Sequence, residues 1–190
     1  AAMIQHVPAQ SPGRTVSLNP LSGLLEAYRG TEGDPRIMSV VITNALLWMT
    51  GTGMVMAMTA FGGEDYLAIP AWRISILSAL LALSIVAGCL CVPRLSHKLK
   101  PRKLINLGLG GAFVGQQLFA VSCTFLPSPV GYWVALVSVV FVGFVASFAM
   151  VPIQTSMQVL PPEGMRGQVI AFNNMLSFIT MFIAGLLYQV

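Results

Sequence analysis

Long runs of uncharged, mostly apolar residues alternate along this chain with short clusters of charge, proline and glycine. Residues 37 to 60 carry no charged side chain and run into Phe61-Gly62-Gly63-Glu64-Asp65, a polar turn. Asp34-Pro35 precedes them, an N-cap followed by proline at the first helical position. A second uncharged run extends from Ile74 to Pro93 and is closed by Arg94. Residues 104 to 162 form a third, 59 residues long. A bilayer core about 30 Å thick takes about 20 helical residues, so this run is too long for one span and long enough for two. Pro127-Ser128-Pro129-Val130-Gly131 supplies the expected break. A last run covers 168 to 190. The pattern predicts an all-α membrane protein with five spans, at about 37–60, 72–93, 103–126, 131–154 and 168–190.

Residues 1–35 differ in kind. The first eighteen are largely polar, and no charged segment leads into an apolar one, so no signal peptide is read here. Leu21, Leu24, Leu25 and Tyr28 then fall on one stripe, with Ser22, Glu26 and Arg29 opposite. This predicts a short amphipathic helix over 20–29, opened by Asn19-Pro20 and closed by Gly30, lying on the membrane surface or under a helical bundle. Ala1-Ala2 carries no initiator methionine, and Gly185 to Val190 stop inside an apolar run. The chain therefore reads as a piece of a longer polypeptide.

Composition strengthens the membrane reading. Hydrophobic residues make up 56% of the chain and charged residues 8%, against about 25% in an ordinary soluble domain. With its N-terminal segment in the cytoplasm, the inner loops hold Arg14, Arg29, Arg36, Arg94, Lys98, Lys100, Arg102, Lys103 and Arg166. The outer loops hold only Arg73, beside Glu64 and Asp65. That asymmetry sets the orientation. It also accounts for the basic segment 94–103 through anionic lipid headgroups, which excludes nucleic acid as the partner. Cys89, Cys91 and Cys123 lie inside apolar runs and read as small hydrophobes, not as a disulfide framework or metal ligands. No nucleophile, paired-carboxylate, metal or phosphate-loop motif is present, so no catalytic residue, metal or cofactor is expected. The uncharged runs hold no Asp, Glu, Lys, Arg or His, hence no evident proton relay.

The remaining chemistry is polar and neutral. Asn44 lies in the first span, Gln116 and Gln117 in the middle of the third, Gln154 near the end of the fourth, and Asn173 and Asn174 in the fifth. Asn173, Ser177, Thr180 and Ala184 share one small polar face. Asn44, Gln116, Gln117, Asn173 and Ser177 are candidates to line a solute cavity, the alternative being hydrogen bonding between helices in lipid. Gln116 and Gln117 point about 100° apart, so one interface can hardly hide both. Gly108, Gly111 and Gly115 share a face and predict close helix packing, and Gly51 and Gly53 either pack the first helix or loosen it.

Two stretches resemble the major facilitator superfamily, and within it the bacterial lysophospholipid transporters. The first is Gly88-Cys89-Leu90-Cys91-Val92-Pro93-Arg94-Leu95-Ser96-His97-Lys98, followed by Lys100, Arg102 and Lys103. It is similar to the cytoplasmic loop after the second helix of each half, with Val92 and Pro93 where that loop usually has an acidic residue. The second runs from Val151-Pro152-Ile153-Gln154-Thr155 to Gln158, then Pro161-Pro162-Glu163-Gly164-Met165-Arg166-Gly167-Gln168-Val169-Ile170-Ala171-Phe172-Asn173-Asn174. It resembles the inner loop before the eleventh helix. The resemblance assigns Gly88, Arg94, Ser96, Glu163, Arg166, Gly167 and Asn174 to these loop motifs. It implies that 1–35 is the linker between halves and that the five spans are helices seven to eleven of a twelve-helix carrier of the inner membrane. The N-terminal half and the last helix would be missing. It also implies alternating access and a lysophospholipid or similar amphiphile as substrate. Rival readings are a drug or metabolite efflux carrier of the same superfamily, or the membrane domain of a phospholipid acyltransferase, since some relatives are fused to acyltransferase and acyl-carrier-protein ligase domains.

Overall fold

The structure is a computed structural model describing residues 28–29, 34–62, 67–162 and 164–188. Most of the amphipathic helix expected at 20–29 lies outside the described residues, as do Gly30, Glu64, Asp65 and Glu163. Five helices follow one another: α1 (Pro35–Phe61), α2 (Ala71–Ser96), α3 (Pro101–Phe125), α4 (Ser128–Val159) and α5 (Arg166–Leu187). Each is long and apolar enough to cross a membrane. Large apolar side chains such as Leu83, Leu90, Val137, Phe178 and Phe182 are exposed along the outer faces, a surface suited to lipid or to further apolar helices and not to water.

Local chemistry sets the helix ends. Asp34 caps α1 by accepting a 2.8 Å hydrogen bond from the Arg36 amide, and Pro35 opens the helix. Pro101 and Pro129 occupy the first turns of α3 and α4, where a proline gives up only an amide that has no helical partner. The expected break of the long run is present but narrower than expected: α3 ends at Phe125 and α4 begins at Ser128, so only Leu126 and Pro127 connect them and Gly131 belongs to the first turn of α4. Pro93 does not stop α2. The helix continues through it to Ser96, whose hydroxyl donates to the Pro93 carbonyl at 2.7 Å. Arg94 and Ser96 thus sit on the last turn of α2 and not in a loop, while Arg166, Gly167 and Asn174 belong to α5.

Helix α4 is central, packing closely on both α2 and α3, while α5 packs mainly on α1. Half of the most apolar 18-residue segment of α4 is buried, against 17% for α2. Glycines make the tight approaches possible. A Cβ on Gly108 would stand 2.5 Å from the Ala149 amide nitrogen, and one on Gly115 would meet Val142 and Phe141. Gly111 faces Val145. The stripe Gly108, Gly111 and Gly115 therefore lies along the α3–α4 contact. Between α2 and α4 the fit is reciprocal: Gly88 lies under Ser147 and the Phe144 carbonyl, and Gly143 lies under Ser84 and the Leu81 carbonyl.

Candidate functional site

Two apolar clusters hold the bundle together at its two ends. Toward the α1 C-terminus, Met54, Met58, Leu77, Phe119, Tyr132 and Val139 pack together with Leu67 and Ile69 of the α1–α2 connection. Toward the other end Ile37, Val41, Ile153, Met157, Val169 and Phe172 do the same, and the Tyr28 ring meets Phe172 edge-on with centroids 6.2 Å apart. Between the clusters α1 crosses α4, and a cavity of about 320 Å³ opens there. Leu47, Trp48, Met54, Ile85, Val142 and Met150 are among its walls, and Gln116 supplies the one side-chain amide of its lining.

Gln116 donates from Nε2 to the Thr50 carbonyl at 3.4 Å. A second cavity, of about 270 Å³, lies between α1, α3 and α5 and also touches Thr50, Met54 and Gln116. Around Thr50 the α1 helix is thus flanked by open space on two sides. Gly51 adds to this, since nothing lies within 4 Å of where its Cβ would be. Gln117, its neighbour, is exposed and lines neither cavity.

Asn44, Asn173 and Ser177 come together elsewhere. Asn44 is fully buried; its Nδ2 donates to Asn173 Oδ1 at 2.9 Å and to Ser177 Oγ at 3.4 Å. Gln154 of α4 donates from Nε2 to Asn44 Oδ1 at 3.3 Å. Asn173 donates onward to Asn174 Oδ1 at 3.4 Å, and the Thr180 hydroxyl donates to the Ala45 carbonyl at 2.9 Å. This network joins α1, α4 and α5. Leu47 and Met150, which line the larger cavity, stand one helical turn from Asn44 and Gln154. The network is therefore a polar floor under the cavity and not its wall. Gln154 and Thr180 were visible as polar spans in the sequence. Trp48, Met54 and Met150 had no signal there, because lipid-facing and cavity-facing positions are equally apolar. Among the described residues no group of His, Cys, Asp or Glu could hold a metal ion.

A five-helix bundle with glycine-packed antiparallel neighbours and a mid-membrane cavity suits a carrier. The sequence model of the Major Facilitator Superfamily matches residues 5–185. The chain belongs to the major facilitator superfamily. It is a multi-pass membrane protein of this transporter family, and its five helices make up part of the family's bundle. It is also 25% identical, over 164 residues, to the enterobactin exporters of Escherichia coli O1:K1 / APEC and of Escherichia coli O45:K1 (strain S88 / ExPEC). The match takes in 86% of the chain but 37% of each exporter, so the chain spans little more than a third of the length of these relatives. No solved structure matches it.

Proposed function

We propose that this chain supplies most of the second half of a secondary carrier of the bacterial inner membrane, and that the carrier moves a lysophospholipid or a similar single-chain amphiphile. One observation carries the reading. The cavity where α1 crosses α4, closed by residues of α2 and α3, is walled mostly by aliphatic, methionine and tryptophan side chains, with the hydroxyls of Thr50 and Ser147, a single amide, Gln116, and no charge. Such a lining takes an apolar chain at little desolvation cost and offers the Gln116 amide as a hydrogen-bonding partner to a polar group beside it. The solute is carried, not chemically changed, and no cofactor takes part. Alternating access rocks two halves about a central site, so activity needs the N-terminal half of the same polypeptide. The basic end, with Arg36, Arg94, Lys98, Lys100, Arg102, Lys103 and Arg166, faces the cytoplasm in this reading.

Similarity to the enterobactin exporters favours a second reading, in which the carrier expels a small metabolite. Proteoliposomes holding the full-length protein separate the two. Uptake of a labelled lysophospholipid series supports the first reading, and outward movement of enterobactin or a drug panel without lysophospholipid uptake supports the second. In the same assay Gln116→Leu is expected to lower lysophospholipid uptake at least about tenfold, the loss of one transition-sensitive hydrogen bond of about 1.4 kcal/mol. Gln117→Leu, outside the cavity, is expected to leave uptake within about twofold of wild type. Normal uptake by the Gln116 variant would remove this residue from the solute path.

A further inference from the structure

Helix α3 has two unlike faces. Leu104, Gly108, Ala112, Gly115, Phe119 and Ser122 are buried, and the two glycines among them lie against α4. At about 100° per residue, Gln117 stands on the opposite side of the helix. With it stand Asn106, Gly110, Phe113 and Thr124, all of them exposed. From Asn106 to Thr124 the spacings are four, three, four and seven. That is a repeat of about 3.5 residues, the periodicity of a seam along which two helices cross at a small left-handed angle. Ala120 fills the remaining place in the repeat; it is half-buried and borders the smaller cavity.

Acyl chains do not suit this seam. Phe113 is the middle residue of α3, and Gln117 lies about 6 Å beyond it along the axis. An amide exposed to hydrocarbon at that depth forgoes the hydrogen bonds that water would give it. The outer faces of α2 and α5 are built otherwise, with Leu83, Val86 and Leu90 on one and Phe178, Phe182 and Ile183 on the other. Gly110 leaves the seam open, since nothing lies within 4 Å of its Cβ position, and a second backbone can approach there. Thr124 donates to the Ala120 carbonyl at 2.8 Å and keeps an oxygen that can still accept.

The chemistry of the seam selects its occupant. Two copies of a membrane protein sit in the bilayer in one orientation, so a two-fold axis relating them runs along the membrane normal. Each residue of a seam on that axis meets its own copy at its own depth. A cation or a carboxylate would repel its twin there. A glutamine or asparagine amide both donates and accepts, so two of them pair reciprocally, and glycine admits the contact. The half of the carrier that shares the solute site has to face the cavity on α1, α2 and α4, which leaves this seam on the periphery; that step rests on the carrier reading above.

We propose that the outer seam of α3 is the interface of a parallel homodimer, in which the two Gln117 amides pair inside the membrane. Each protomer keeps its own cavities, so pairing is separable from transport.

Full-length protein labelled with donor or acceptor fluorophores, co-reconstituted in liposomes over a series of protein-to-lipid ratios, tests this. Micelles would dilute and separate copies held by a few hydrogen bonds. Wild type is expected to show energy transfer that rises to a plateau with protein density. Gln117→Leu should move the half-point to a density roughly five- to tenfold higher, the loss of two reciprocal amide hydrogen bonds. In a background freed of other cysteines, Thr124→Cys should form disulfide-linked dimers on mild oxidation. Leu186→Cys, exposed on α5, should not. Energy transfer is read without any solute, so failure of the carrier reading leaves this result standing by itself. Transfer no greater than random at every density, an unchanged half-point in Gln117→Leu, or crosslinking through α5 in place of α3 overturns the proposal. So does a monomer in which Thr124→Cys resists a membrane-permeant maleimide, which would give the seam to another part of the same polypeptide.

Discussion

Gly143→Leu is expected to prevent the bundle from assembling. A Cβ at this position would come within 2.7 Å of the Leu81 backbone carbonyl, and would also meet the Ser84 hydroxyl. The carbonyl cannot turn aside, because it already accepts from Ser84 Oγ at 2.7 Å and belongs to a helix. Helices α2 and α4 would have to separate, and with them the reciprocal contact one turn away, where Gly88 lies under Ser147. In lipid no hydrophobic drive compensates, because the separated surfaces find equally apolar acyl chains. Close packing is what holds such helices together. Overpacking a tight contact costs about 1–3 kcal/mol, and a whole leucine against backbone belongs at or above the upper figure. Gly110→Leu is the matched control. Nothing lies within 4 Å of the Cβ position there, and leucine exceeds glycine in helix propensity by somewhat under about 1 kcal/mol. Thermal melts of the two variants in detergent should therefore move in opposite directions, or the control should stay still. Equal melts for wild type and Gly143→Leu would mean that α2 and α4 do not approach as described.

This contact also marks what the sequence made visible. The five helices were legible because charge is absent over whole bilayer thicknesses, and lipid imposes that rule on each span separately. The ends of the helices were less so. Pro127 to Gly131 has turn composition, yet proline at the start of a helix is as favourable as proline in a turn, and the choice fell to packing, with Gly131 lying against the Ser122 carbonyl and Leu67. Pro93 illustrates the same point from the other end, since one missing amide is tolerated near a helix terminus. The glycine stripe of α3 was readable from spacing alone. Ser84 and Ser147 were not, because a small polar residue in a span has no sequence mark that separates a packing position from a lipid-facing one.

The polar residues were found as a set and not as an arrangement. Adjacent positions on a helix point about 100° apart, and Gln116 lines a cavity while Gln117 is exposed. Which was which depended on the direction in which α3 faces α1. Asn44, Asn173 and Ser177 occupy three places in one network, so their identity was legible and their partners were not. Residues 129 positions apart meet through tertiary packing, which no local pattern encodes.

That network makes Asn44→Leu the second variant with a large expected effect. Asn44 takes part in three side-chain hydrogen bonds, to Asn173, Ser177 and Gln154, and has no exposure to solvent or lipid. Interhelical hydrogen bonds in membranes average about 0.6 kcal/mol and reach about 1.7. Leucine would also leave the Asn173 carbonyl oxygen and the Gln154 amide without their partner, at about 1–3 kcal/mol for a buried group. The sum points to a loss of about 2–4 kcal/mol, measured as a shift in denaturant-induced unfolding of the full-length protein in micelles. The double variant Asn44→Leu/Asn173→Leu separates the two contributions. If stranded polar groups dominate, removing both asparagines costs less than the two single losses added, by about 1 kcal/mol or more. Additive losses would instead mean that each residue acts through its own packing. A change under about 0.5 kcal/mol for Asn44→Leu alone would show that α1, α4 and α5 are held by their apolar cluster, with the network contributing only the register in which they meet.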